Sequence, residues 1–154
     1  MAKAAPCPLP EDLAPLLPGY SFADAYQVEA PAGLESASRA TRHIFSRQPG
    51  WIASLLRLRD ALVAPFGLKG VDAAPDGAIG GFPVVSESGQ RVVLGFDDRH
   101  LDFRIVIDAV PGEHAAVIRT TTLVKPHNLA GRAYLAFVLP FHRAIVPRML
   151  NRLG

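Results

Sequence analysis

Residues Arg91–Lys125, RVVLGFDDRHLDFRIVIDAVPGEHAAVIRTTTLVK, decide the fold. Three runs rich in β-branched and aromatic residues are separated by Asp97-Asp98 and Pro111-Gly112, pairs that favour turns. The pattern predicts strands over Arg91–Phe96, Arg99–Ala109 and His114–Lys125, joined as an antiparallel meander. Tight turns would set Leu94 opposite Leu101, Val92 opposite Phe103, Ile105 opposite Ile118 and Ile107 opposite Ala116. Both hairpins then give one apolar face, Val92, Leu94, Leu101, Phe103, Ile105, Ile107 and Ile118. A one-residue slip would break that agreement. One face is expected buried and the other wet.

Upstream, Ile79–Ser86 reads as an edge strand, because Pro83 cannot donate to a ladder, and Ser88-Gly89 turns it into the meander. Lys69–Ala78 is a Gly/Asp/Pro loop. Helical periodicity predicts two shorter helices. Leu34–Arg47 has Ala37, Ala40 and Ile44 on one side, and Trp51–Val63 carries the stripe Trp51, Leu55, Leu58 and Leu62. Trp51 is a core anchor on this reading. Ser21–Ala30 is a strand stopped by Pro31. Residues 1–18 hold five prolines and read as an extended, loosely held arm, leaving 19–154 as a single α+β domain. Downstream, Asn128 is the expected N-cap of a long helix from Leu129 to about Arg152, kinked at Pro140.

Composition narrows the function classes. The chain has 154 residues, 49% apolar and 19% charged, which suits one soluble domain with a real core. A net charge of +2 gives no global reason to expect nucleic acid or an anionic membrane, and neither is expected as a partner. Cys7 is the single cysteine, which excludes an internal disulfide and a cysteine metal cage. No targeting segment is legible, and Ala133–Phe141 falls short of the roughly 20 residues of a spanning helix. A cytoplasmic protein is expected. The sequence has no Walker-type loop, GxGxxG, GxSxG or HExxH, so neither a cofactor nor a metal is expected.

Two groups of residues could carry chemistry. On a wheel of the last helix, His142 falls inside the apolar arc of Leu135, Val138, Leu139, Ile145, Val146 and Met149, so it should point at the sheet. Such a histidine is either a satisfied core residue or a polar group lining a ligand cavity. Strand alternation sets His100, Asp102 and Arg104 on the other face, beside the turn residues Asp97 and Asp98. His100 and Asp102 could couple as base and orienter, or stand as solvated charges. The tight-turn register also aligns Arg91, Arg104 and Arg119 across three strands, a row that Asp102, Asp108, an anion or another chain must neutralise. A homo-oligomer contact through this row is one expectation.

Several motifs together resemble domain-of-unknown-function family 2867. They are Trp51–Leu68, Ile79–Val84 (IGGFPV), Gly95–Arg104, His127-Asn128 with Gly131–Tyr134, and Leu139–His142 (LPFH). The likeness spans roughly residue 20 to the C-terminus. It implies a relationship to the Bet v 1/START-like helix-grip proteins, whose curved antiparallel sheet wraps a long C-terminal helix over a cavity. It also implies relatives fused to nucleotide-binding, reductase-like domains, of which no trace is legible here. No settled activity or catalytic residue comes with it. The leading expectation is therefore a small apolar or amphipathic ligand held between sheet and last helix. Phe103, Ile105 and Ile118 would form the floor, Thr120 and Thr122 the hydroxyl contacts, and Val138, His142 and Met149 the lid. The alternatives are a cyclase- or hydratase-like enzyme using His142 or His100/Asp102, and an interaction module with a filled core. A second polar site would comprise Asp98, His100, Asp102, Arg104 and Arg119.

Overall fold

The computed structural model describes residues 3–46, 83–97 and 101–153. These form an α+β unit: a six-stranded antiparallel sheet, one short helix and a long C-terminal helix. The strands are β1 (Ala5–Pro6), β2 (Phe22–Glu29), β3 (Val84–Glu87), β4 (Arg91–Asp97), β5 (Leu101–Val110) and β6 (Val117–Pro126). Their order across the sheet is β1-β2-β6-β5-β4-β3. The helices are α1 (Ala37–Ser46) and α2 (Leu129–Asn151). The expected Trp51–Val63 helix, the Lys69–Ala78 loop and the first residues of the Ile79–Ser86 strand lie outside the described residues.

The meander is present, but its register differs from the tight-turn expectation. Leu94 pairs with Ile105 rather than Leu101, and Ile105 with Thr122 rather than Ile118, so each partner has moved by four positions. The connections are wider than two residues, since β5 starts at Leu101 and β6 at Val117. An even displacement preserves which side chains share a face. Val92, Leu94, Ile105, Ile107 and Ile118 therefore still lie on one side, under α1 and α2.

Helix α1 begins at Ala37, later than its periodicity suggested, because the Ser36 hydroxyl accepts the Arg39 N–H at 3.1 Å and caps it. It buries Ala37, Ala40 and Ile44, the stripe read from the sequence. Arg42 donates to both Glu87 oxygens at 2.9 and 2.8 Å, and Ser38 donates to the same carboxylate, pinning α1 to β3. These bonds, Ser38 first, hold the Glu87 carboxyl below its ordinary range. Asn128 caps α2 as expected, its Oδ1 accepting the Gly131 N–H at 2.9 Å. The helix continues through Pro140 and Pro147 as one element. Its C-terminal turns sink Met149 and Leu150 into the core with Val28, Ile44, Ile107, Ile118 and Leu153.

The second face is not wet, because the N-terminal arm covers it. The Ala4 N–H donates to Asn151 Oδ1 at 2.6 Å, β1 pairs with the edge of β2, and the Cys7 N–H donates to the Ala25 carbonyl at 3.0 Å. The arm then crosses under the sheet, where Leu13 and Leu17 are buried against Leu123. Asp12 reaches Arg91 at 2.8 Å, and the chain returns to β2 through the Ser21 N–H, which donates to the Val124 carbonyl at 3.0 Å. Prolines hold the arm extended, and its leucines supply the apolar area that fixes it. Burial pushes the Cys7 thiol up from its ordinary value. Leu13→Ala should cost about 2 kcal/mol, the low end for a buried leucine, because a detached arm limits the loss. Hydrogen exchange should then accelerate at the Cys7 and Ser21 amides while α1 stays protected; uniform acceleration would show that the arm does not act as a unit.

Candidate functional site

The inward positions of β2 are Phe22, Asp24, Tyr26 and Val28, paired on β6 with Val124, Thr122, Thr120 and Ile118. A carboxylate in the middle of such a face needs a partner. Asp24 finds it on α2: His142 Nε2 lies 3.0 Å from both Asp24 oxygens, with the two side chains 15% and 22% exposed. Phe22 meets the imidazole edge-on, ring centroids 6.2 Å apart at 80°. The helix wheel thus aimed His142 correctly. A carboxylate only accepts, so Nε2 carries a proton, and in the neutral ring Nδ1 is the acceptor.

Hydroxyls surround this pair. Thr120 and Thr122 are both buried on the same face, and Thr120 Oγ1 has no hydrogen-bond partner among the described residues. Burial raises the Tyr26 phenol above its ordinary value, and the Asp24 charge adds to this, so Tyr26 remains a donor. Phe103 and Ile105 continue the face onto β5, half-buried. Val138 is half-buried on α2, one turn before His142. Ile118 and Met149 sit instead in the close-packed end of the core, against Val28 and Ile107. The sequence-derived set therefore divides: Phe103, Thr120, Thr122, Val138 and His142 stay at the half-buried end, Ile118 and Met149 belong to the core cluster, and Ile105 packs against that cluster.

Only part of the second polar site lies among the described residues. Asp98 and His100 lie outside the described residues. Asp102 pairs with His127 Nε2 at 3.0 Å, and Arg104 with Asp97 at 2.9 Å. The row Arg91–Arg104–Arg119 is replaced by Arg91–Asp108–Arg119, because the displaced register sets Asp108 directly opposite both arginines. Asp108 accepts from Arg91 Nε at 2.5 Å and from Arg119 Nη2 at 3.5 Å. Arg104 faces Gly95 and Leu123 instead. Among the described residues, no three His, Cys, Asp or Glu side chains group as a metal site.

Sequence reasoning missed Asp24. Its signal was available: within Phe22-Ala23-Asp24-Ala25-Tyr26-Gln27-Val28 it shares parity with Phe22, Tyr26 and Val28, one acid on an otherwise apolar side.

No curated protein and no solved structure matches the chain. The family model described as protein of unknown function (DUF2867) matches residues 16–149, from Leu16 in the arm to Met149 near the end of α2. With nearly the whole described fold inside that match, the chain belongs to the DUF2867 family.

Proposed function

We propose that this is a helix-grip domain of the cytoplasm that binds a small amphipathic molecule between β2, β6 and the middle of α2. The order of strand, helix, meander and long helix, with α2 laid across β2 and β6, supports the helix-grip reading. The observation that carries the binding reading is the Asp24–His142 pair on an apolar face, beside a buried Thr120 hydroxyl with no hydrogen-bond partner among the described residues. Burying such groups is costly, and binding polar atoms to them is how ligand sites obtain orientation. The ligand's apolar part would lie on Phe103, Ile105 and Val138. Its polar end would meet His142 Nδ1, Thr120 and Thr122.

Native mass spectrometry of the purified protein, followed by denaturing extraction, tests this. A small co-purifying molecule is expected, and His142→Ala should lower its occupancy about tenfold or more, the loss of one hydrogen bond to a charged pair. A ligand retained equally by His142→Ala and by Thr120→Val would sink the reading.

The same pair supports a second reading, an enzyme in which Asp24 fixes the tautomer of a general base at His142. That reading expects turnover of carbonyl or enol compounds, abolished in His142→Gln and reduced in Asp24→Asn. A chain that binds such compounds and converts none is a binder alone. Asp108 and Asp12 together offset the charges of Arg91 and Arg119, which gives less support to a partner contact through these arginines.

A further inference from the structure

The net charge of +2 conceals a segregation. Glu113 is the last acidic residue; positions 114–154 carry six of the sixteen Lys/Arg and none of the fourteen Asp/Glu. Four of those six lie on or directly after α2: Arg132, Arg143, Arg148 and Arg152.

The outward side of α2 is also apolar. Leu129, Phe137 and Phe141 are 81%, 43% and 37% exposed, and the two phenylalanine rings lie 5.5 Å apart. Ala133, Ala136, Pro140 and Ala144 are exposed between them. At about 100° per residue these positions share one arc, with Arg132 and Arg143 along one margin and Arg148 between the directions of Phe137 and Phe141, two turns further on. The opposite side of the helix carries His142 and Met149 into the domain. An apolar strip flanked along one margin by arginines, with no acid on the element, is therefore presented away from the sheet.

We infer that this side of α2 docks the domain on the surface of a bilayer containing anionic lipid. Arginines at that margin would meet lipid phosphates while Leu129, Phe137 and Phe141 enter the headgroup–acyl boundary. Charge decides the occupant. A second copy of α2 would bring arginine against arginine, and a nucleic acid would leave the apolar centre uncovered. By length and composition alone the helix could also cross a membrane. The domain's own packing shows how it would lie instead: Asp24 holds His142, and Met149 and Leu150 are in the core, so α2 stays on the sheet and meets the bilayer along its length. This inference is independent of the ligand reading.

Co-sedimentation with phosphatidylcholine vesicles, with and without a minor fraction of phosphatidylglycerol, tests it. Binding should require the anionic lipid and weaken as salt rises. Arg132→Gln with Arg143→Gln should reduce the vesicle partition coefficient about thirtyfold, from the typical contribution of each cation near an anionic surface. Phe137→Ser with Phe141→Ser should reduce it about tenfold or more with salt dependence kept. All these positions are exposed, so unchanged far-ultraviolet dichroism and melting temperature will confirm that folding is intact. Three results would overturn the inference. The first is partition that ignores the anionic lipid or either double variant. The second is capture by soluble polyglutamate without vesicle binding, which marks an acidic protein as the occupant. The third is a dimer abolished by the phenylalanine variant, which marks a second copy.

Discussion

Gly95→Ala should be among the most damaging single substitutions in the described chain, costing about 3–4 kcal/mol and lowering the melting temperature by roughly 6–16 °C. Gly95 lies within β4 at a φ of 150°, backbone that side-chain-bearing residues rarely adopt. A Cβ there would collide with the Phe103 carbonyl oxygen and come within 3.1 Å of both Cα and Cδ of Arg104. The space is already in use. Arg104 lies over the glycine, donating to the Phe103 carbonyl at 2.8 Å and pairing with Asp97 at 2.9 Å. An alanine must therefore strain the backbone and also dislodge an arginine that is only 14% exposed. Thermal unfolding of Gly95→Ala beside Arg104→Ala separates the two effects. The arginine variant alone should cost about 1–2 kcal/mol. Equal losses in the two would show that the glycine's backbone geometry contributes nothing.

Asp108→Ala should cost about 3–4 kcal/mol, for a different reason. The Asp108 side chain is 7% exposed and accepts two bonds from Arg91, at 2.5 and 3.2 Å, and a longer one from Arg119. Its carboxylate, ahead of Asp12, drives the Arg91 guanidinium to hold its proton still more tightly than usual. Removing it takes away the carboxylate between two half-buried cations; Arg91 keeps Asp12, but Arg119, whose Nε has no hydrogen-bond partner among the described residues, loses its Asp108 contact. Breaking one partner of such a group typically costs more than replacing the group together. Asp108→Leu combined with Arg91→Met should accordingly be milder than Asp108→Ala, and a double-mutant cycle should yield a coupling of about 1–3 kcal/mol. Additive losses would mean that the arginine and aspartate act separately.

These two positions also mark how far the sequence could be read. Strand alternation depends on parity, so Val92, Leu94, Ile105, Ile107 and Ile118 were assignable to one face even though the pairing had slipped. Which residues stand opposite each other depends on loop width, which Asp97-Asp98 and Pro111-Gly112 do not specify. The arginine row therefore dissolved while the apolar face survived. His142 was legible because α2 is long and periodic, and Asn128 because a cap acts within one turn. Asp24 required an alternation argument on β2 that the meander made easier elsewhere. The arm's docking was not legible for a physical reason: prolines announce extended backbone but not whether Leu13 and Leu17 have something to rest on.

The arm's path also bears on how this chain avoids sticking to itself. An antiparallel sheet ends in two strands with unpaired backbone groups, each a template for another chain. Here both borders are blunt. β1 has two residues, one of them Pro6, and β3 has four and follows Pro83. Without the arm, part of the edge of the eight-residue β2, PheAlaAspAlaTyrGlnValGlu, would lose its cover from β1 and the Cys7 amide. A truncated protein starting near Tyr20 would thus gain both an open ladder and a bare Leu123 patch, and would be expected to form aggregates before it loses its core.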